Sequence, residues 1–121
     1  MWAVDSTSLT RGASAEDRAT AALEAAGYSI VARNWRCGAG ELDIVAREGD
    51  VLAFVEVRSR ASSAHGHAAE MVSPSKQRQV TRVAGLYLAI VRPRFTLLRF
   101  DVVAVTGARL DLIRDAWRAS G

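Results

Sequence analysis

Gly40-Glu41-Leu42-Asp43-Ile44-Val45-Ala46-Arg47, then Glu48-Gly49-Asp50, then Val51-Leu52-Ala53-Phe54-Val55-Glu56-Val57-Arg58-Ser59: these residues decide the fold. Two runs rich in aliphatic and β-branched residues are separated by a tight turn signal, the pattern of an antiparallel hairpin. The spacing predicts strands over Glu41 to Arg47 and Val51 to Ser59. The second is apolar on both faces through its first half, as a central strand covered on both sides must be. Polar residues interrupt these strands with a period of two. Glu41 and Asp43 project from one face, and Glu56 and Arg58 share a face near the end of the next strand. A short connection with antiparallel pairing then brings Asp43 near Glu56.

Outward from the hairpin the chain alternates between helical and extended patterns. Ala15, Ala19, Ala22, Leu23 and Ala26 recur at helical spacing, so a helix is expected over Ser14 to Ala26, with Gly27 ending it. Tyr28 to Trp35 alternates as a strand and turns through Cys37-Gly38-Ala39-Gly40. Arg60 to Val72 reads as a loop of small residues carrying His65 and His67, both read as surface residues. Ser73 as N-cap and Pro74 at the first helical position open a second helix. It is expected to reach Ala89 and to bury Val80, Val83, Ala84 and Tyr87. Beyond Pro93, a strand is expected over Thr96 to Val105, and Gly107 turns into a short last strand over Leu110 to Ile113. The order α-β-β-β-α-β-β implies an α/β fold with a mixed sheet, an antiparallel meander and one crossover helix. Neither repeats nor a linker interrupt it, so residues 1–121 are read as one domain, with residues 1–10 expected to be disordered.

Half of the 121 residues are hydrophobic and 24% are charged, a globular balance. A chain of this length buries roughly two thirds of its unfolded surface, enough for one core without staples. Cys37 is the only cysteine, so no internal disulfide is available, which suits a reducing compartment. Residues 1–10 include Asp5 and lack a continuous apolar run; no secretory leader and no membrane span are expected, and the cytoplasm is the expected location. The formal charge of +3 is unevenly placed. Val57 to Phe100 holds eight basic residues and one acid, Glu70, giving +7 against −4 for the remainder. Such segregation is the footprint of a polyanion-binding surface, or else of a solvated helix face.

Several carboxylates at one sheet edge repel one another unless something neutralises them. A hard divalent cation does so, and oxygen ligands suit Mg²⁺ or Mn²⁺. Glu41-Leu42-Asp43 followed by Glu56-Val57-Arg58 resembles the PD-(D/E)xK nuclease motif, an acid on one strand before E-x-K on the next. The likeness extends to Asn34-Trp35-Arg36, Gly40 to Val45, Phe54 to Arg58, Pro74-Ser75-Lys76-Gln77-Arg78 and Arg99 to Val105. Together these resemble the YraN-like family of small bacterial proteins, similar in fold to archaeal Holliday-junction resolvases. The resemblance implies a restriction-endonuclease-like core and a metal-dependent endonuclease acting on structured DNA. It implies Asp43 and Glu56 as metal ligands, Glu16 as the acid placed on the first helix, and Glu41 as an outer or alternative ligand. Gln77, one turn before Val80, is a candidate to reach the cleft. Resolvase-like relatives also imply a homodimer.

One position departs from the family pattern: Arg58 stands where it has lysine. Arginine is not deprotonated in proteins and cannot serve as a base. It can hold a phosphate or steady its developing charge. Lys76, the only lysine, is a candidate substitute from the second helix. Arg36, Arg60, Lys76 and Arg78 are the candidate contacts to nucleic acid. Trp35, between arginines, is read as a core residue with a stacking role as the alternative, and Asp101 as a buried hydrogen-bonding group. Three functions stay open: a metal-dependent endonuclease, a nucleic-acid-binding module without chemistry, and a protein-interaction domain whose carboxylates pair internally.

Overall fold

The computed structural model describes residues 14–59 and 72–119. Arg60, His65, His67 and the first ten residues lie outside that range. Seven elements follow in the expected order: α1 (Ser14–Ala25), β1 (Ser29–Cys37), β2 (Gly40–Glu48), β3 (Val51–Ser59), α2 (Pro74–Val91), β4 (Leu97–Thr106) and β5 (Arg109–Trp117). The strands form one sheet in sequence order, β1-β2-β3-β4-β5. All neighbours are antiparallel except β3 and β4, which run parallel because α2 carries the chain back across the sheet between them. Among the described residues no helix is long and apolar enough to cross a membrane.

The alternation of β3 sorts its side chains into two cores. Leu52 and Phe54 join Val80, Val83, Ala84 and Tyr87 of α2, whereas Ala53 and Val55 join Ala19 and Leu23 of α1. The sheet is thus covered by one helix on each face, and β3 is central, as its apolar run predicts. Ser73 caps α2 by accepting from the Lys76 amide at 3.2 Å, with Pro74 following. At its N-terminal half α2 crosses β2 closely. A Cβ on Gly40, whose φ is +145°, would lie 3.0 Å from the Gln79 side chain and 3.1 Å from Val83.

Three boundaries differ from the sequence reading by two residues or more. β1 continues to Cys37, paired with Gly40. α2 runs to Val91 and ends on Arg92 in the left-handed conformation (φ 55°), whose amide bonds Leu88 O at 3.0 Å. β5 extends to Trp117, past the expected Ile113, with a register shift that lets Asp115 adopt φ 56°. Trp117 then stacks on Phe100 at 5.0 Å between ring centroids.

A polar network pins the end of the sheet where β1, β3 and β4 begin. Asp101, fully buried, accepts from Tyr28 Oη at 2.7 Å, from Arg99 Nε at 2.8 Å and from the Asp115 amide at 2.9 Å. Arg99 and Arg114 both donate to Glu48 and lie over the Tyr28 ring at 6.0 and 5.4 Å. The arginines, Arg114 foremost, draw the Glu48 carboxyl down to a pKa of about 2. Burial and the bond to Asp101 push the Tyr28 hydroxyl well above its usual range.

Candidate functional site

Further along the sheet the β2–β3 ladder comes apart beside Asp43. Pairing of β2 with β3 ends at Ile44↔Val55, and pairing of β1 with β2 passes from Arg33↔Ile44 to Trp35↔Leu42. Asn34, the intervening residue of β1, has φ 54°. Leu42 and Val45 both pack toward α2 while Ile44 packs toward α1, so strict alternation is lost at this step. The fork is closed by side chains: Asp43 Oδ2 accepts from the Val57 amide at 3.0 Å, and the Glu56 carboxylate is bonded by the Asp43 backbone. Each acid thus bonds main chain at or next to the other.

Burial dominates the electrostatics. Glu56 is 2% exposed among apolar neighbours. Loss of solvent, and then the nearby Asp43 charge, raise its carboxyl to a pKa of about 7, against the pull of Lys76 and Arg58. Asp43 is half-buried and also raised, chiefly by burial, with the Val57 amide and Lys76 opposing and Glu16 and Glu41 adding to it. Glu16 and Lys76 are the third residues of α1 and α2, so both helices begin at this end of the sheet and direct their positive dipole ends toward it. Lys76 is half-buried and lies on the stripe of Val80, Val83 and Tyr87, at i+4, i+7 and i+11. Arg58 is partly buried, and its Nε is enclosed with no hydrogen-bond partner among the described residues. Buried donors are rarely left unpaired.

The remaining candidates are arranged around this pair. Glu16 Oε1 accepts from Arg33 at 3.0 Å and Asn34 Nδ2 at 2.8 Å, so it stands beside Asp43 but is already engaged. Glu41 pairs with Arg36 at 3.0 Å on the solvent side, the arginine being 75% exposed. Gln77 Nε2 donates to Val72 O at 2.9 Å, which fixes the entry to α2. Arg78 is exposed on the far side of the same turn. Trp35 packs against the α2-side core, edge-on to Tyr87 at 5.2 Å, as expected of a core residue. The Arg58 Nε, without a partner among the described residues, and the left-handed Asn34 carried no signal in the sequence.

Among the described residues no three His, Cys, Asp or Glu side chains form a ready-made metal cage. The Asp43–Glu56 pair nevertheless fits a hard divalent ion. Mg²⁺ commonly takes one or two carboxylates and completes its shell with water and phosphate. A cation also compensates the buried negative charge that raises both pKa values.

Comparison with known proteins agrees with the resemblance read from the motifs. The model of "Uncharacterised protein family UPF0102" matches residues 15–105, from α1 to near the end of β4. A UPF0102 protein of Syntrophus aciditrophicus is 44% identical over 113 residues, covering 90% of this chain and 89% of the relative. One from Cupriavidus pinatubonensis is 47% identical over 113 residues, covering 93% and 88%. One from Chlorobaculum tepidum is 46% identical over 100 residues, covering 83% and 78%. With the family model spanning most of the chain and relatives matched over most of theirs, the chain belongs to the YraN-like family UPF0102.

Proposed function

We propose that this chain is a metal-dependent endonuclease that hydrolyses phosphodiester bonds in structured DNA at the Asp43–Glu56 fork. What supports the reading is one juxtaposition: a buried and a half-buried carboxylate with raised pKa values beside an arginine whose enclosed Nε has no partner among the described residues. An ion-pair network serving stability alone satisfies its members, as Asp101 and Arg99 do. Asp43 and Glu56 would hold Mg²⁺ or Mn²⁺, with Glu16 and Glu41 in the surrounding field. Such an ion lowers the pKa of bound water and stabilises charge on a phosphoryl group. Arg58 binds and orients a phosphate oxygen through its guanidinium, which is a donor and not a base. Lys76 adds positive charge from α2, where the resemblance would place a lysine on β3. A homodimer would present two such forks to a two-stranded substrate.

A second reading, a nucleic-acid-binding module without chemistry, is favoured by arginine at position 58. Incubation with single-stranded, duplex, flap and four-way-junction DNA in Mg²⁺, Mn²⁺ or EDTA separates the two. Metal-dependent cleavage by the natural chain that disappears in Glu56→Ala is the expected result. Cleavage only by Arg58→Lys would assign the binding module, and neither cleavage nor retention of DNA would reject both.

A further inference from the structure

Away from the fork, α2 overhangs a part of the sheet that it does not cover. Between it and β4–β5 lies an apolar hollow of about 530 Å³, lined by Phe54, Ala84, Leu88, Leu98, Phe100 and Trp117. It adjoins a second hollow of about 350 Å³ that shares Thr81, Trp117 and Arg118 and continues along α2 to Pro74 and Gln77, the helix turn nearest the carboxylates. The two make one groove.

Its rim is basic. Arg78 and Arg82 lie one helical turn apart on α2, both exposed, and no ion pair among the described residues holds either. Arg118 faces them from beyond β5, 84% exposed and joined to Asp115 at 2.9 Å. Asp115 is the single acid lining the groove among the described residues, and Arg118 pairs with it. Gly85 keeps the hollow open. It sits inside an 18-residue helix, where glycine is less stable than alanine, and a Cβ added there meets nothing within 4 Å. Packing therefore gives no reason for the missing side chain.

We propose that this groove receives a single strand of nucleic acid leading away from the fork, with its phosphates along Arg78, Arg82 and Arg118 and an unpaired base seated in the hollow against Leu98 and Trp117. The proposal rests on the nucleic-acid reading of the fork but not on catalysis. Cationic charge along one wall and aromatic and apolar surface in the floor is the combination that holds single strands without sequence preference. An apolar side chain of a protein partner would also fit the hollow, but a rim of three arginines with one neutralised acid matches a polyanion better.

The test is fluorescence anisotropy of the full chain in EDTA with a labelled oligothymidylate, a blunt duplex of equal length, and a labelled acidic peptide bearing one leucine anchor. Gly85→Phe fills the hollow; Gly85→Met is the second choice if the first lowers the melting temperature. The expected result is tighter binding of the single strand than of the duplex, weakened about tenfold or more by Gly85→Phe and by Arg78→Ala/Arg82→Ala, with melting temperatures unchanged or raised. Unchanged single-strand affinity in either variant overturns the proposal. So does binding of the peptide that Gly85→Phe alone abolishes, which assigns the groove to a protein partner. Because EDTA removes cleavage, failure here leaves the endonuclease reading standing, and binding without cleavage in Mg²⁺ does the reverse.

Discussion

The sheet buries two carboxylates at neighbouring registers, Asp101 on β4 opposite Val55 and Glu56 on β3 opposite Val102, and it treats them in opposite ways. Asp101 sits where β4 meets β5 and receives bonds from a tyrosine, an arginine and a backbone amide, while Glu48 beside it is shared by two arginines. Glu56, almost equally buried, receives main-chain support and lies near Asp43, a second acid that works against its charge. A buried acid surrounded by its own cations is structure. A buried acid beside another acid, near an arginine donor without a partner among the described residues, is the arrangement on which the proposed site rests. The difference lies in the local charge balance, not in depth.

The largest effect that would break this contrast is on stability. Arg99→Ala removes donors from a fully buried Asp101, so urea denaturation should show a loss of about 3–5 kcal/mol. DNA cleavage by the remaining folded protein should be unchanged. Arg58→Ala should give the opposite pattern, with stability kept and cleavage down on the order of a hundredfold or more. Equal losses of stability at the two arginines would erase the distinction.

The next effect is on the pH dependence. The Glu56 pKa of about 7 exceeds its unfolded value, so the folded chain binds the extra proton between about pH 4.3 and 7. The protonated carboxyl stabilises the fold below that window, and the contribution is lost as pH rises through it. Glu56→Gln should match the natural chain at pH 5 and exceed it by about 2–3 kcal/mol at pH 8. A gap of the same size at both pH values would mean that Glu56 titrates normally.

The smallest effect belongs to the exposed Arg36–Glu41 pair. Glu41→Gln should change stability by less than about 1 kcal/mol and leave cleavage within a factor of two or so. A large loss of metal-dependent cleavage would instead promote Glu41 to a ligand.

The layered fold was legible because alternation in β2 and β3, the Ser73-Pro74 cap and the small-residue stripe of α1 are local signals. The Asp43–Glu56 pairing was legible because a tight turn fixes which residues face each other. The full length of β5 was not. Arg114 and Asp115 look like loop residues until Arg114 reaches Glu48, sixty-six positions away, and Asp115 turns its amide to Asp101. Glu16 was legible as an acid near the site but not as one engaged by Arg33 and Asn34, since that depends on how β1 bends. The open Arg58 donor depends on what surrounds it, and no single stretch of sequence encodes that.

The left-handed Asn34 has a consequence beyond the site it flanks. It lies in β1, one outer strand of the sheet, and β1 also carries a register shift between Ile30 and Ala32. The other outer strand, β5, has the same two features at Asp115 and in its pairing with β4. An uninterrupted outer strand is a template on which a further strand can polymerise, and bulges and kinks remove it. Both borders of this sheet are bent out of line, so growth by strand addition is opposed on either side. The same local distortions that help shape the two carboxylate centres thus also interrupt the edges on which a further strand would add.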